Sequence, residues 1–250
     1  MIEMVEKISW MFEDEIFDAQ CFFRRSAKAK RISLKVPEPG KVILTIPRWA
    51  SEVKGREFLY KSRDWIRKKS SALQPVKTLK QYFDQPREVW LDSTPREFIW
   101  SVNEKNKHTI REIDRDQVRI EFPIDFDPEV HLLKEFMQMG RRFLPIRLEN
   151  CEKKSGLRSK KCRIGNQRSR WGSCSGKGTI SLNWRILLLP FELGEYVLYH
   201  ELAHLEQMNH SVRFWEALER FIPEAKKVDK QLNSVGKEII FIGHNLAWNQ

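Results

Sequence analysis

Two histidines and a glutamate stand close together near residue 200, in the order His-Glu-x-x-His. His200 and His204 are four residues apart in a strongly helical segment, so their side chains lie about 40° apart and both can reach one metal ion. Glu201 projects about 100° away from His200 and is therefore placed to face a water on that ion. The pattern is typical of a zinc hydrolase, in which neutral nitrogens hold Zn²⁺ and a carboxylate takes a proton.

A third metal ligand is expected at His210, because a catalytic zinc ion usually keeps three protein ligands and one open position. On an unbroken helix His210 would point about 240° away from His204, so the helix must end near residues 207–209 and the chain must turn back. Asn209 tolerates the left-handed backbone conformation that such a turn often needs. Ser211 then caps the next helix.

The spacing of the three histidines is also that of the metzincin proteases. Gln207 stands where those enzymes have glycine, which argues against a metzincin proper. A second interpretation is an ordinary core helix, in which Leu202, Ala203 and Leu205 pack inward and no metal binds. The added presence of His210 favours the metal site.

The composition excludes a membrane protein and a disulfide scaffold. Hydrophobic residues make up 41% of the 250 residues, the mean hydropathy is −0.55, and the longest apolar run covers only residues 186–189. Residues 1–6 lack the features of a secretory signal, which predicts a cytoplasmic protein without a membrane partner. The four cysteines have no CxxC spacing and are expected to be free thiols. They are Cys21, Cys151, Cys162 and Cys174.

Positive charge is concentrated in one stretch of the chain. The net charge is +11, and residues 141–170 hold eleven basic residues against two acidic ones. Such a stretch suits an acidic partner, nucleic acid among them, but a solvated basic face without a partner is the preferred interpretation. The candidate nucleic-acid contacts are Lys153, Lys154, Lys160 and Lys161.

The first half of the sequence is predicted to be β-rich. Apolar residues alternate over 32–36 and 42–46 on either side of a Pro-Gly turn, which predicts a hairpin. Ser51 is expected to cap a helix that reaches about Ser70. Further strands are predicted over residues 89–91, 97–102, 109–113 and 118–122.

The second half changes character after Asp127 and Pro128, which together open a helix that Pro145 is expected to kink or interrupt. A strand near residues 161–164 follows, and then a hairpin with arms over 168–174 and 179–184. Pro190 precedes the helix that carries the His-Glu-x-x-His pattern.

Four groups of residues resemble the YgjP-like family of predicted metallopeptidases, which are zincins related to the SprT-like and WLM proteases. The groups are Arg170-Trp171-Gly172-Ser173-Cys174-Ser175, Leu182-Asn183-Trp184-Arg185, His200-Glu201-Leu202-Ala203-His204-Leu205 and Met208-Asn209-His210-Ser211-x-x-Phe214-Trp215. The resemblance implies zinc held by His200, His204 and His210, with Glu201 as general base. It implies no particular substrate.

The fold expected from these patterns is α+β. Residues 1–126 form a β-rich N-terminal region, residues 127–235 a zincin-like metallopeptidase domain with a short antiparallel sheet and the HExxH helix, and residues 236–250 a C-terminal tail. In zincins an edge strand beside the metal helix pairs with extended peptide, and residues 178–184 are the candidate edge. Asn183 and Arg185 are candidate substrate contacts.

The primary hypothesis is therefore a zinc metallopeptidase that cleaves a peptide or protein substrate through a zinc-activated water, with Glu201 as general base. The alternative is a nucleic-acid-associated protein, either a SprT-like protease acting on DNA-bound proteins or a basic binding module with structural zinc. A third possibility, a zincin that has lost catalysis, is opposed by the intact Glu201. The sequence predicts no oligomeric state.

Overall fold

The computed structural model describes residues 2–13, 15–73, 77–105 and 107–243. The chain divides into two units, residues 1–75 and residues 76–250, and the predicted α+β class is confirmed. The end of the predicted C-terminal tail, residues 244–250, lies outside the described residues.

The first unit is a four-stranded sheet with two helices. Its elements are β1 (Ile2–Phe12), β2 (Glu15–Ser26), β3 (Ser33–Glu38), β4 (Lys41–Pro47), α1 (Glu52–Lys61) and α2 (Arg63–Ser71). The strand order is β1-β2-β4-β3, with β2 and β4 parallel and the outer pairs antiparallel. The β3–β4 hairpin is as predicted, and Ser51 caps α1 by accepting a hydrogen bond from the Lys54 amide. The long β1–β2 hairpin is absent from the predictions.

The second unit begins with another four-stranded sheet. Its elements are α3 (Leu79–Tyr82), β5 (Arg87–Trp90), β6 (Pro95–Asn103), β7 (Ile110–Ile113) and β8 (Gln117–Pro123). The strand order is β5-β6-β8-β7, and these four strands correspond to the four predicted ones. Buried residues alternate along β8, as a half-buried strand requires.

The long helix α4 (Pro128–Ser155) supports the rest of the unit. Asp127 caps it by accepting a hydrogen bond from the Glu129 amide, as expected from the Asp-Pro start. The helix continues through Pro145, so the proline does not interrupt it, and a kink at this position stays a prediction. Leu144 and Leu148 on either side of Pro145 are almost fully buried, and this packing outweighs the one backbone hydrogen bond that proline removes.

A small sheet follows, built from β9 (Lys161–Gly165), β10 (Gly172–Cys174) and β11 (Thr179–Asn183). The order is β10-β11-β9, with β10 antiparallel and β9 parallel to β11. The sheet is therefore mixed rather than antiparallel. The predicted edge at residues 178–184 is also wrong, since β9 covers the second side of β11 and leaves β10 at the edge.

Three helices complete the unit: α5 (Phe191–Ala203), α6 (Val212–Glu219) and α7 (Ala225–Ile239). One hydrophobic core joins the inner face of the second sheet, α4 and α5. Residues 77–123 thus share a core with the helix that carries the histidines, whereas the sequence places a division at residues 126 and 127. Among the described residues, no helix is long and apolar enough to cross a membrane.

Candidate metal centre and active site

Helix α5 carries the first two histidines of the site. The helix is enclosed by the core, because Val197, Leu198 and Leu202 are almost fully buried. His200 lies in its last turn and His204 is its C-cap residue, and the centroids of the two imidazole rings are 5.0 Å apart. The buried helix therefore fixes this pair through its backbone.

The chain then turns sharply and presents the third histidine. The helix ends at Ala203, earlier than predicted, and His204 Nδ1 lies 2.9 Å from the Gln207 carbonyl oxygen. A carbonyl oxygen only accepts, so Nδ1 carries the proton and the lone pair is on Nε2. Asn209 does not adopt a left-handed conformation; its side-chain oxygen instead accepts from the Ser211 amide at 3.3 Å.

The three imidazoles converge. The candidate ligand atoms of His200, His204 and His210 all lie within 4.8 Å of one another, and Nε2 of His210 is 3.0 Å from Nε2 of His200. Tetrahedral zinc with nitrogen ligands at about 2.0–2.1 Å needs nitrogen–nitrogen separations of about 3.3 Å. The set is therefore close to the spacing that such an ion requires.

The ring of Phe214 packs against all three histidines. Its centroid lies 4.9 Å from that of His200, 4.6 Å from that of His204 and 4.7 Å from that of His210. Phe214 is fully buried on α6, the helix that follows the turn. One apolar side chain thus holds the helical pair and the loop histidine together.

Burial keeps the helical histidines neutral, the form in which imidazole binds a metal. Burial, together with the neighbouring His204 and His210, lowers the pKa of His200 to about 3. Burial also lowers the pKa of His204, against the effect of its hydrogen bond to the Gln207 carbonyl.

Glu201 lies beside this cluster with its carboxylate enclosed. Its side chain is 6% exposed, and in the part of the chain that the structure describes Oε2 has no hydrogen-bond partner. Burial raises the pKa of Glu201 to about 8, while Arg170 opposes the shift. A Cβ atom on Gly172 would lie 2.6 Å from Glu201 Oε1, so glycine lets the carboxylate rest against strand β10.

A cleft of about 380 Å³ opens over the histidines and Glu201. Strand β10 with the residues before it, helix α5 and helix α7 all contribute lining residues. The remaining lining residues are Arg170, Trp171, Gly172, Ser173, Cys174, Tyr196, Val197, Met208, Asp229, Leu232 and Asn233.

These residues fit a metal ion. Three imidazole nitrogen donors lie within 4.8 Å of one another, and in the same cleft a buried oxygen of the Glu201 carboxylate has no hydrogen-bond partner among the described residues. Buried polar atoms in proteins nearly always have a partner, and a metal ion with a water in the cleft would supply one here.

A family model for the YgjP-like metallopeptidase domain matches residues 30–235. The chain belongs to the YgjP-like metallopeptidase family. This confirms the resemblance seen in the sequence, and it makes the protein a metallopeptidase with a metal cofactor.

Two solved metallopeptidase zymogens are similar to this YgjP-like chain over part of its length. Abylysin from Pyrococcus abyssi is 31% identical, with 37% of this chain and 94% of the abylysin chain covered and a TM-score of 0.35. Jannalysin from Methanocaldococcus jannaschii is 21% identical, with the same coverage of both chains and a TM-score of 0.33. No curated protein matches the sequence.

Asn183 and Arg185 lie away from the cleft of this YgjP-like protein. Both are fully buried, and neither lines the cleft. Arg185 donates to the Ile242 carbonyl and to Asn166, while the Asn183 amide donates to the carbonyl oxygens of Gln167 and Arg170. A side chain without exposed surface has no access to a substrate, so both residues instead hold the chain on either side of the site.

The basic stretch does not form one uniform face. Arg147 within it is buried and pairs with Glu195 at 3.2 Å. The four candidate nucleic-acid contacts are exposed, and one of them pairs with Glu149. Nucleic-acid binding by Lys153, Lys154, Lys160 and Lys161 stays a prediction.

Cys174 lies on the edge strand and lines the cleft. Burial and the nearby Glu201 carboxylate raise the pKa of its thiol. The thiol form packs as a small apolar group, which favours a structural role for Cys174.

Two lining residues on α7, Asp229 and Asn233, are absent from the predictions. They are four residues apart, and the Asn233 amide donates to Asp229 Oδ2 at 3.0 Å. The local sequence marks α7 as an amphipathic helix, but only the fold brings it to the cleft.

Proposed function

We propose that the protein is a zinc-dependent peptidase in which His200, His204 and His210 hold the ion and Glu201 is the general base. The observation that carries this proposal is a buried Glu201 oxygen, without a hydrogen-bond partner in the described part of the chain, beside three converging imidazoles. The nitrogen donors favour zinc over magnesium or calcium, which prefer oxygen ligands.

When bound, zinc would polarise the scissile carbonyl and lower the pKa of water toward about 7. Glu201 takes a proton from the attacking water and delivers it to the leaving amine. Enclosure of the carboxylate supports this role, since a base held away from bulk water keeps a raised pKa and a fixed direction.

Strand β10 is the proposed binding site for the substrate backbone. It pairs with β11 on one side only, so its other side is the edge of the small sheet, and Gly172, Ser173 and Cys174 all line the cleft. An extended peptide that adds to this edge lies against Glu201. This geometry supports a peptide or unfolded protein segment as substrate.

We also place this activity in a reducing compartment such as the cytoplasm. The four cysteines are free, and two of them, Cys21 and Cys151, are buried. Burial raises the pKa of both thiols, which keeps them protonated and unreactive.

The test is elemental analysis of the purified protein together with a peptide-library cleavage assay on wild type and Glu201→Gln. We expect about one zinc ion per chain in both, and cleavage lower by about 10²–10⁴ in the variant, as for removal of a general base. The matched control is Glu192→Gln, an exposed glutamate on the same helix, which should cleave like wild type. Full cleavage by Glu201→Gln, or cleavage by zinc-free protein, would contradict the proposal.

A further inference from the structure

Tyr196 lies one helical turn before His200, on the side of the imidazole that faces away from the other histidines. Its hydroxyl oxygen is 3.4 Å from His200 Nδ1, whereas the opposite nitrogen, Nε2, is the one near His210. The tyrosine is 1% exposed, so its hydroxyl is held in place by the surrounding core.

A second contact fixes the direction of the tyrosine proton. The Tyr196 hydroxyl donates to Asp229 Oδ1 at 2.9 Å, and this carboxylate oxygen accepts. The second carboxylate oxygen accepts from the Asn233 amide at 3.0 Å. Asp229 is therefore held through both oxygens and bonds to the tyrosine from a different helix.

The proton on His200 follows from these two contacts. With its hydrogen directed to Asp229, the Tyr196 oxygen offers only lone pairs to His200. The contact between Tyr196 and His200 is then a hydrogen bond only if Nδ1 of His200 carries the proton. That tautomer leaves the lone pair on Nε2, which points toward the other two histidines.

We propose that Tyr196 and Asp229 are positioning residues that hold His200 in the Nδ1-protonated tautomer with Nε2 directed at the metal. The inference rests on the proposed function, in which His200 is a ligand. Partners of this kind behind a ligating histidine fix its orientation and raise its basicity. Here the carboxylate acts through a buried tyrosine, and it comes from α7, beyond the sequence motif.

The test combines two measurements on wild type, Tyr196→Phe, Asp229→Leu and the double variant, since leucine has a shape close to that of aspartate but no oxygen to accept from the Tyr196 hydroxyl. Nitrogen-15 NMR of the imidazole side chains in metal-free protein reports the His200 tautomer, and competition with a chelator reports zinc affinity. We expect the Nδ1-protonated tautomer in wild type, its loss in each variant, and zinc binding weaker by about 10–100-fold. The double variant should be little worse than either single variant, since both break one relay.

The matched control is Tyr199→Phe. Tyr199 is a second buried tyrosine of α5, and its hydroxyl bonds to Cys151 rather than to a histidine. It should leave both the tautomer and the zinc affinity unchanged. Asp229→Leu changes a partly exposed position, so it gives a result even if Tyr196→Phe folds poorly.

Wild-type tautomer and zinc affinity within about twofold in both single variants would overturn the inference, as would losses that add fully in the double variant. Failure of the proposed function looks different. In that case wild type itself binds no zinc or cleaves no peptide, while the tautomer in metal-free protein still decides whether the relay exists.

Discussion

His200 and His204 differ from His210 in what holds them. The helical pair stands on α5 inside the core, with His204 9% exposed, whereas His210 is exposed on the turn between two helices. Once α5 folds, its backbone sets the positions of His200 and His204 relative to each other. His210 depends on the Asn209 turn and on the ring of Phe214.

This difference shows that the three candidate ligands are positioned in two different ways, two by a packed helix and one by a turn. The helical pair is set by local periodicity together with core packing, so it should persist without metal. The turn histidine is held by few contacts and gains most from the ion. Metal binding should therefore order the turn more than the helix.

The largest contrast is expected from His204→Ala against His210→Ala. Both should lose stoichiometric zinc, since each removes one of three ligands. Only His204→Ala should destabilise the metal-free protein, by about 1–3 kcal/mol, because its ring is buried, whereas an exposed residue changes stability by about 0.5 kcal/mol or less. Urea unfolding of chelator-treated samples measures the free energy of unfolding of each variant. Equal destabilisation by both variants would contradict the prediction.

Phe214→Ala should couple the two regions. Truncation of a fully buried phenylalanine costs about 3–5 kcal/mol, and here it also removes the shared contact of all three imidazoles. Thermal unfolding and zinc competition measure the two effects. The control is Phe136→Ala, an equally buried ring that stacks on Phe83 at 5.0 Å, which should lower stability without a direct effect on zinc affinity.

Gly172→Ala should reduce catalysis and leave the helical histidines and the turn histidine intact. The new Cβ would displace the Glu201 carboxylate, and a misplacement of about 1 Å can reduce turnover by about 10². Zinc content should stay at the wild-type level. Gly176→Ala, in the neighbouring turn with open space around it, is the matched control and should cleave normally. Unchanged turnover in Gly172→Ala would mean that Glu201 is not held against β10.

Asn209→Ala should have the smallest effect and act only on the turn. It removes the side-chain acceptor of the Ser211 amide, a hydrogen bond worth about 0.5–1.5 kcal/mol. Zinc affinity should fall by about tenfold or less. Asn209→Asp keeps an acceptor and should restore most of the zinc affinity. A loss of affinity in Asn209→Ala as large as that in His210→Ala would show that no other contact holds the turn.

Local patterns predicted much of this centre, and non-local contacts account for the rest. The HExxH spacing, the Asp127-Pro128 helix start and the strands of the second sheet all follow from residues close in sequence. The identity of the edge strand could not be predicted in this way, because the pairing of β9 with β11 joins segments that no local pattern relates. The β1–β2 hairpin lies outside the predictions, although buried residues alternate along β2 as in any half-buried strand.

The local sequence also does not predict which charged side chains are buried or line the cleft. Arg185 is fully buried and donates to the Ile242 carbonyl, which lies 57 residues further along the chain. Asp229 reaches the cleft only because α7 packs against α5. The division predicted at residues 126 and 127 stays a prediction, although residues 77–123 share a core with α4 and α5.

X-ray absorption at the zinc edge tests the central claim most directly. For the zinc-loaded wild-type protein we predict three imidazole nitrogens at about 2.0–2.1 Å and no sulfur at about 2.3 Å. His210→Ala, loaded with excess zinc, should show one imidazole fewer. A sulfur ligand from Cys174 in wild type, or an imidazole count that does not change in His210→Ala, would contradict the convergence of these three histidines on one ion.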